Sequence, residues 1–126
     1  MPRPEAARRV KTYSSSVTGR VFQYHFFEVE PAQRGTVRGN EYRYIVSADR
    51  QAQFPVRILV DAAAVAAWKQ RSGRTLTGTE EYAVAKLRLF QAFDEDSSLA
   101  GPPAGSIAQL FVDQTNLDAF LAQLDV

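Results

Sequence analysis

The chain is expected to fold as an α+β domain: an antiparallel sheet of three to four strands, a meander in the N-terminal half, packed by two to three helices from the C-terminal half. Three observations carry this expectation. Aromatic and β-branched residues crowd the segments before residue 61, where apolar side chains recur with a period of two. Beyond Asp61 the apolar positions recur at helical spacing, behind residues suited to cap a helix. Strands grouped ahead of helices favour a sheet with helices on one face over an alternating parallel α/β arrangement. At 126 residues and 14.0 kDa, the chain should bury about two thirds of its unfolded surface in one domain.

Residues 1–16, MPRPEAARRVKTYSSS, combine two prolines, a basic cluster of Arg8, Arg9 and Lys11, and three serines. This polar segment is expected to be a flexible basic arm, leaving residues 17–126 as the single α+β domain. The first strand is placed from Val17 to Glu30, ending at Pro31. Residues 31–40, PAQRGTVRGN, read as the loop of a long hairpin whose second strand is EYRYIVSA. FPVRILV then continues the meander, with Phe54, Val56, Ile58 and Val60 on one face and Arg57 on the other.

Asp61 stands where an N-cap accepts a backbone N–H, and AAAVAAWKQR behind it predicts a helix closing at Ser72 and Gly73. Thr77 and Glu80 have capping-box spacing ahead of a second helix, with Tyr82, Ala85, Leu89 and Phe93 on one stripe. Residues 94–106 read as a loop. Periodicity leaves Ile107–Val112 open between a strand and the start of a helix. Thr115 and Asp118 have N-cap spacing ahead of a final helix carrying Leu117, Phe120, Leu121 and Leu124.

Most familiar chemistry fails on its own requirements. Without cysteine there is no disulfide, thiolate metal site or cysteine nucleophile. The single imidazole, His25, sits mid-strand, with neither a G-x-S-x-G sequence nor an HExxH pair elsewhere. The acidic run after Asp94 places Leu99 and Gly105 where an EF-hand requires glycine and glutamate. Residues 35–40, GTVRGN, lack the lysine and hydroxyl of a phosphate loop. Arg74 near the second helix N-terminus would attract an anion, but Glu80 and Glu81 already occupy that end. Glu28 and Glu30 share a strand face, but solvated edge charges explain them as well as paired acid and base work does. No cofactor, metal or catalytic residue is therefore expected. No apolar run reaches the roughly 20 residues that span a bilayer, and the first residues lack the apolar core of a secretory signal. A cytoplasmic protein without membrane contact is the resulting expectation.

Charge and aromatic content point elsewhere. Residues 1–92 hold all 15 Lys and Arg against 8 acids, and residues 93–126 hold 6 acids and no base. Seven of the 14 aromatic residues, Phe22, Tyr24, Phe26, Phe27, Tyr42, Tyr44 and Phe54, fall within 33 positions. A sheet needs one face for its helices; if the other stays accessible, Tyr24, Tyr42 and Tyr44 make a platform bordered by Arg20, Arg34, Arg38 and Arg43. Single-stranded nucleic-acid binders stack bases on such rings and grip phosphates with such cations. The leading expectation is thus a non-enzymatic nucleic-acid-binding or regulatory domain. Arg8, Arg9 and Lys11 in the arm and Arg34 and Arg38 in the hairpin would contact phosphates of single-stranded nucleic acid, with Tyr42 and Tyr44 stacking. The alternative is a protein-interaction module or homo-oligomeric assembly subunit, a homodimer being the simplest form.

Overall fold

A five-stranded sheet is built around one long hairpin, its strands neighbouring each other in chain order. The strands are β1 (Lys11–Ser14), β2 (Val21–Arg34), β3 (Val37–Ala48), β4 (Phe54–Asp61) and β5 (Ala108–Val112). The helices are α1 (Ala62–Ser72), α2 (Gly78–Asp94) and α3 (Leu117–Gln123). This computed structural model describes residues 9–95, Leu99, Gly101 and 107–126. Arg8 and most of the 94–106 loop lie outside the described residues.

The α+β class stands, but the sheet has five strands rather than three to four, and it is mixed. β1 to β4 are antiparallel, whereas β5 runs parallel to β4, from Val56 opposite Ala108 to Val60 opposite Val112. A parallel neighbour needs a long crossover, and α1 and α2 supply it. Five residues carry too little periodicity to announce that strand by themselves. β1 is the other addition. The segment assigned to an arm contributes four residues that pair with Val21–Tyr24, and Ser15 behind them is buried.

β2 and β3 also run further than expected. They remain paired to Arg34 opposite Val37, so the turn shrinks to Gly35 and Thr36, with Gly35 in the left-handed region at φ 60°. Pro31 sits within β2 opposite Asn40, beyond the stretch that β1 covers. Register slips between Phe26 and Glu28, leaving Phe27 as the extra residue of a bulge.

The helices form where their caps predict. The Asp61 side chain accepts from Ala63 N, and Gly73 closes α1 in the left-handed conformation. Thr77 and Glu80 complete a reciprocal capping box on α2. α3 departs from expectation: Thr115 bonds back to Asp113, and the residue before the helix is Asn116.

The core lies between one sheet face and the helices. Phe22 stacks on Phe93 with ring centroids 4.1 Å apart, Tyr24 meets Phe90 and Phe93, and Phe26 meets Tyr82 edge-on at 5.1 Å. Ala64, Leu76, Leu117, Phe120 and Leu121 join the same cluster. Among the described residues no helix is long and apolar enough to cross a membrane.

Asp94 ties the edge strand to α2. Its two carboxylate oxygens accept from Tyr13 OH and Ser15 Oγ, each at 2.8 Å, at the helix end where the dipole disfavours an anion. Burial first, and then the bond to Asp94, push the Tyr13 phenol up to about 12 from 10. The folded state therefore holds this proton more tightly than the unfolded chain, and the associated stability is complete below pH 10 and lost as pH rises to about 12. Asp94→Ala is expected to remove about 1–3 kcal/mol of stability. The same change should move Tyr13 ionisation back towards its ordinary value. Tyrosinate absorbance during alkaline titration, run beside urea unfolding, checks both; an unmoved titration would show that Asp94 does not govern this phenol.

Candidate functional site

The aromatic platform is absent. Alternation along β3 turns Tyr42 and Tyr44 to the side that α2 covers, and they are 4% and 0% exposed. Tyr24 is buried beside them, at 5%. These rings are core: Phe26 lies against both Tyr42 and Tyr44, and burial is the first cause pushing the phenols of Tyr42 and Tyr44 up in pKa. The aromatic pattern in the sequence was real, but its main destination was the helix layer.

The opposite sheet face carries an ion network. Glu41, Leu59 and Phe111 are aligned across β3, β4 and β5 by the strand register. Glu41 is 2% exposed and Leu59 is fully buried, although the helices pack on the other side. Arg34 explains part of this. It pairs with Glu41, while its guanidinium carbon lies 5.6 Å from the Phe111 ring centroid. β2 and β5 are three neighbour spacings apart in the sheet order, roughly 14 Å if flat. The far end of the hairpin must therefore curl over the open face to bring Arg34 across it.

Arg43 is shared among carboxylates. Its Nε donates to Glu41 Oε1 at 2.8 Å, and its Nη1 meets Glu28 and also Glu30 at 3.2 Å. The hydrogen bond to Glu41 is the largest influence raising the Arg43 pKa above its ordinary value. Arg57 Nε stands 3.9 Å from the same Glu41 oxygen. Arg34 and Arg43, expected to border a platform, are thus neutralised within the sheet. Arg38 is exposed and donates to Gln33 at 3.2 Å; Arg9 and Lys11 are exposed, and Arg20 is half-buried. The structure does not bring these cations together with Tyr42 and Tyr44. The acidic C-terminal part contributes Asp118, paired with Arg71, and Glu95, 3.8 Å from Arg88.

A concave site lies on the helix side, between the hairpin and the start of α2. Phe26, Val29, Tyr42, Leu76 and Tyr82 are among the walls of a cleft of about 470 Å³. Such a volume is in the range of small-ligand sites. Its polar wall is Glu81, whose Oε1 accepts from Asn40 Nδ2 at 2.7 Å and from Tyr42 OH at 2.8 Å. Glu30 borders the cleft, but its carboxylate is engaged with Arg43. Tyr82 is set at steep angles to its neighbours, 81° to Phe26 and 63° to Tyr42. The arrangement offers ring surfaces and one oriented carboxylate.

Sequence reasoning missed Glu81, Asn40 and Tyr82 as site residues. Glu81 reads as an acid favouring a helix N-terminus. Its two donors are 41 and 39 positions away, and nothing local signals them. Among the described residues, no group of three His, Asp or Glu side chains is placed to hold a metal ion.

Fold and cleft together define the chain as a mixed-sheet α+β protein with a one-sided helical layer and an acidic, ring-lined groove. No protein-family model matches it, and no curated protein or solved structure matches it significantly.

Proposed function

We propose that the protein is a non-enzymatic interaction module that seats the ammonium or guanidinium group of a partner protein's lysine or arginine in this cleft. The observation that carries the proposal is the Glu81 carboxylate, held by Asn40 and Tyr42 beside the rings of Tyr82 and Phe26. A cation placed there gains an opposite charge and aromatic faces together, and attraction to a ring adds roughly 0.5–2 kcal/mol. Holding the carboxylate in place in advance lowers the ordering cost of binding. A nucleic-acid target is less favoured, because the tyrosines are buried and Arg34 and Arg43 already have carboxylate partners.

Glu81→Gln is the decisive variant. Its amide oxygen still accepts from Asn40 and Tyr42, so the wall is retained while the charge is removed. Titration with N-acetyl-arginine amide and N-acetyl-lysine amide, followed by NMR shifts of the Tyr82 and Phe26 rings, should show saturable binding. The variant is expected to weaken it about tenfold, equivalent to about 1.4 kcal/mol. Unmoved ring resonances, or equal affinity in the variant, would remove the proposal. Binding to a single-stranded oligonucleotide at low salt, lost as salt rises, would instead restore the nucleic-acid reading.

A further inference from the structure

The sequence has three lysines, Lys11, Lys69 and Lys86, and two of them meet on the helix-covered side of the sheet. Lys11 faces Tyr24 in the β1–β2 register, and alternation sends it to the side where α2 packs. Lys86 comes from α2, with its Nζ 6.0 Å from the Tyr24 ring centroid and 5.7 Å from that of Phe90. Among the described residues, no carboxylate pairs with either lysine. Several other cations of the chain do find acids, as Arg34, Arg43, Arg71 and Arg74 do.

We propose that Lys86 is a nucleophilic amine and Lys11 an anion anchor, together forming a site for a carbonyl compound that bears a carboxylate or phosphate. Two ammonium groups brought together on aromatic rings repel, and the more enclosed one gives up its proton first. Lys86 is the enclosed one, being half-buried, whereas Lys11 is exposed. Desolvation and then Lys11 itself lower the Lys86 pKa from its ordinary value. Among the described residues, the titratable groups beside it are Lys11 on β1 and Tyr24 on β2, with Tyr13 next along β1 on the Phe90 ring. None is a carboxylate that would hold the proton on.

The chemistry balances without any oxidant or reductant. The neutral Lys86 nitrogen adds to the carbonyl carbon, forming the N–C bond as the C=O π pair moves to oxygen. One N–H proton passes to that oxygen, giving a carbinolamine. The hydroxyl then leaves with the second N–H proton as water, and the imine remains. Lys11 holds the anionic end of the ligand and takes no part in these proton transfers.

The probes are pyridoxal 5′-phosphate, an aldehyde with a phosphate, and benzaldehyde, which has no charge. Each is incubated with the full chain at neutral pH and trapped with borohydride, and the labelled lysine is identified by peptide mapping. Lys69 serves as an exposed control. Lys86 is expected to be labelled several-fold faster than Lys69 by both aldehydes, with the larger excess for the phosphate probe. Lys11→Gln should reduce both rates at Lys86 and abolish the extra preference for the phosphate probe, with an unchanged thermal midpoint showing that β1 stays docked. Equal labelling of Lys86 and Lys69 by both probes would overturn the proposal. Faster labelling of Lys86 in Lys11→Gln would do the same, because it would show Lys11 acting only as a steric shield.

Discussion

Glu41→Ala is expected to destabilise the fold by about 3–5 kcal/mol, the range seen when one member of a buried ion pair is removed. The size follows from where the carboxylate lies. Glu41 is 2% exposed, and its two oxygens are divided between Arg34 and Arg43. Without it, Arg34 would keep a guanidinium already shut in by Phe111 and lose the carboxylate it pairs with among the described residues, and Leu59 beneath would lose part of its cover. Arg43 would suffer less, because Glu28 and Glu30 still face it. Glu41→Gln retains one acceptor oxygen and should recover part of the loss. Urea unfolding of both variants checks this, and the loss for alanine should change little between low and high salt, since a buried pair is weakly screened. A loss below about 1 kcal/mol would mean the network behaves as surface ion pairs do.

Gly39→Ala is the second large effect, with an expected loss of about 4 kcal/mol or more, exceptional for one methyl group. A Cβ at residue 39 would stand 1.7 Å from the Val60 carbonyl oxygen and 2.8 Å from its carbon. Both are backbone atoms at the end of β4, next to the start of α1, and cannot swing away as a side chain would. Gly35→Ala provides the contrast. A Cβ at Gly35 meets nothing within 4 Å, and only its left-handed conformation at φ 60° opposes the change. About 1–2 kcal/mol is expected there. Thermal unfolding of the two variants side by side separates a steric contact from backbone strain. Equal losses would show that the hairpin end can move away from β4.

The caps illustrate what local chemistry makes legible. Asp61, Gly73, Thr77 and Glu80 all do what their residue types and spacing predict, because a cap is satisfied within three or four residues. β5 illustrates the reverse. Its five residues, Ala108–Val112, are defined by pairing with a strand about fifty positions earlier, and their own pattern suits either structure. β1 was hidden by its polar composition. Lys11–Ser14 join the sheet through backbone bonds to β2, with the Tyr13 and neighbouring Ser15 hydroxyls on Asp94, and the Tyr13 ring on Phe90 is too little apolar content to form a strand pattern.

The candidate sites divide in the same way. Alternation puts Tyr42 and Tyr44 on one face and Arg43 on the other, where the expected platform had them side by side, and alternation cannot say which face the helices will cover. The helices chose the tyrosines. Arg34 then reached Glu41 and Phe111 through curvature that no residue pattern encodes.

From the order of residues alone came the α+β class, the three central strands and the capped starts of α1 and α2, since propensity, period and capping act over a few neighbours. Tertiary structure alone decided that β5 runs parallel to β4, that the tyrosines are interior, and that Glu81 joins Asn40 and Tyr42 at a cleft. Those outcomes depend on which distant surfaces meet, a choice made by burying the most apolar area while giving enclosed carboxylates such as Glu41 and Glu81 their partners.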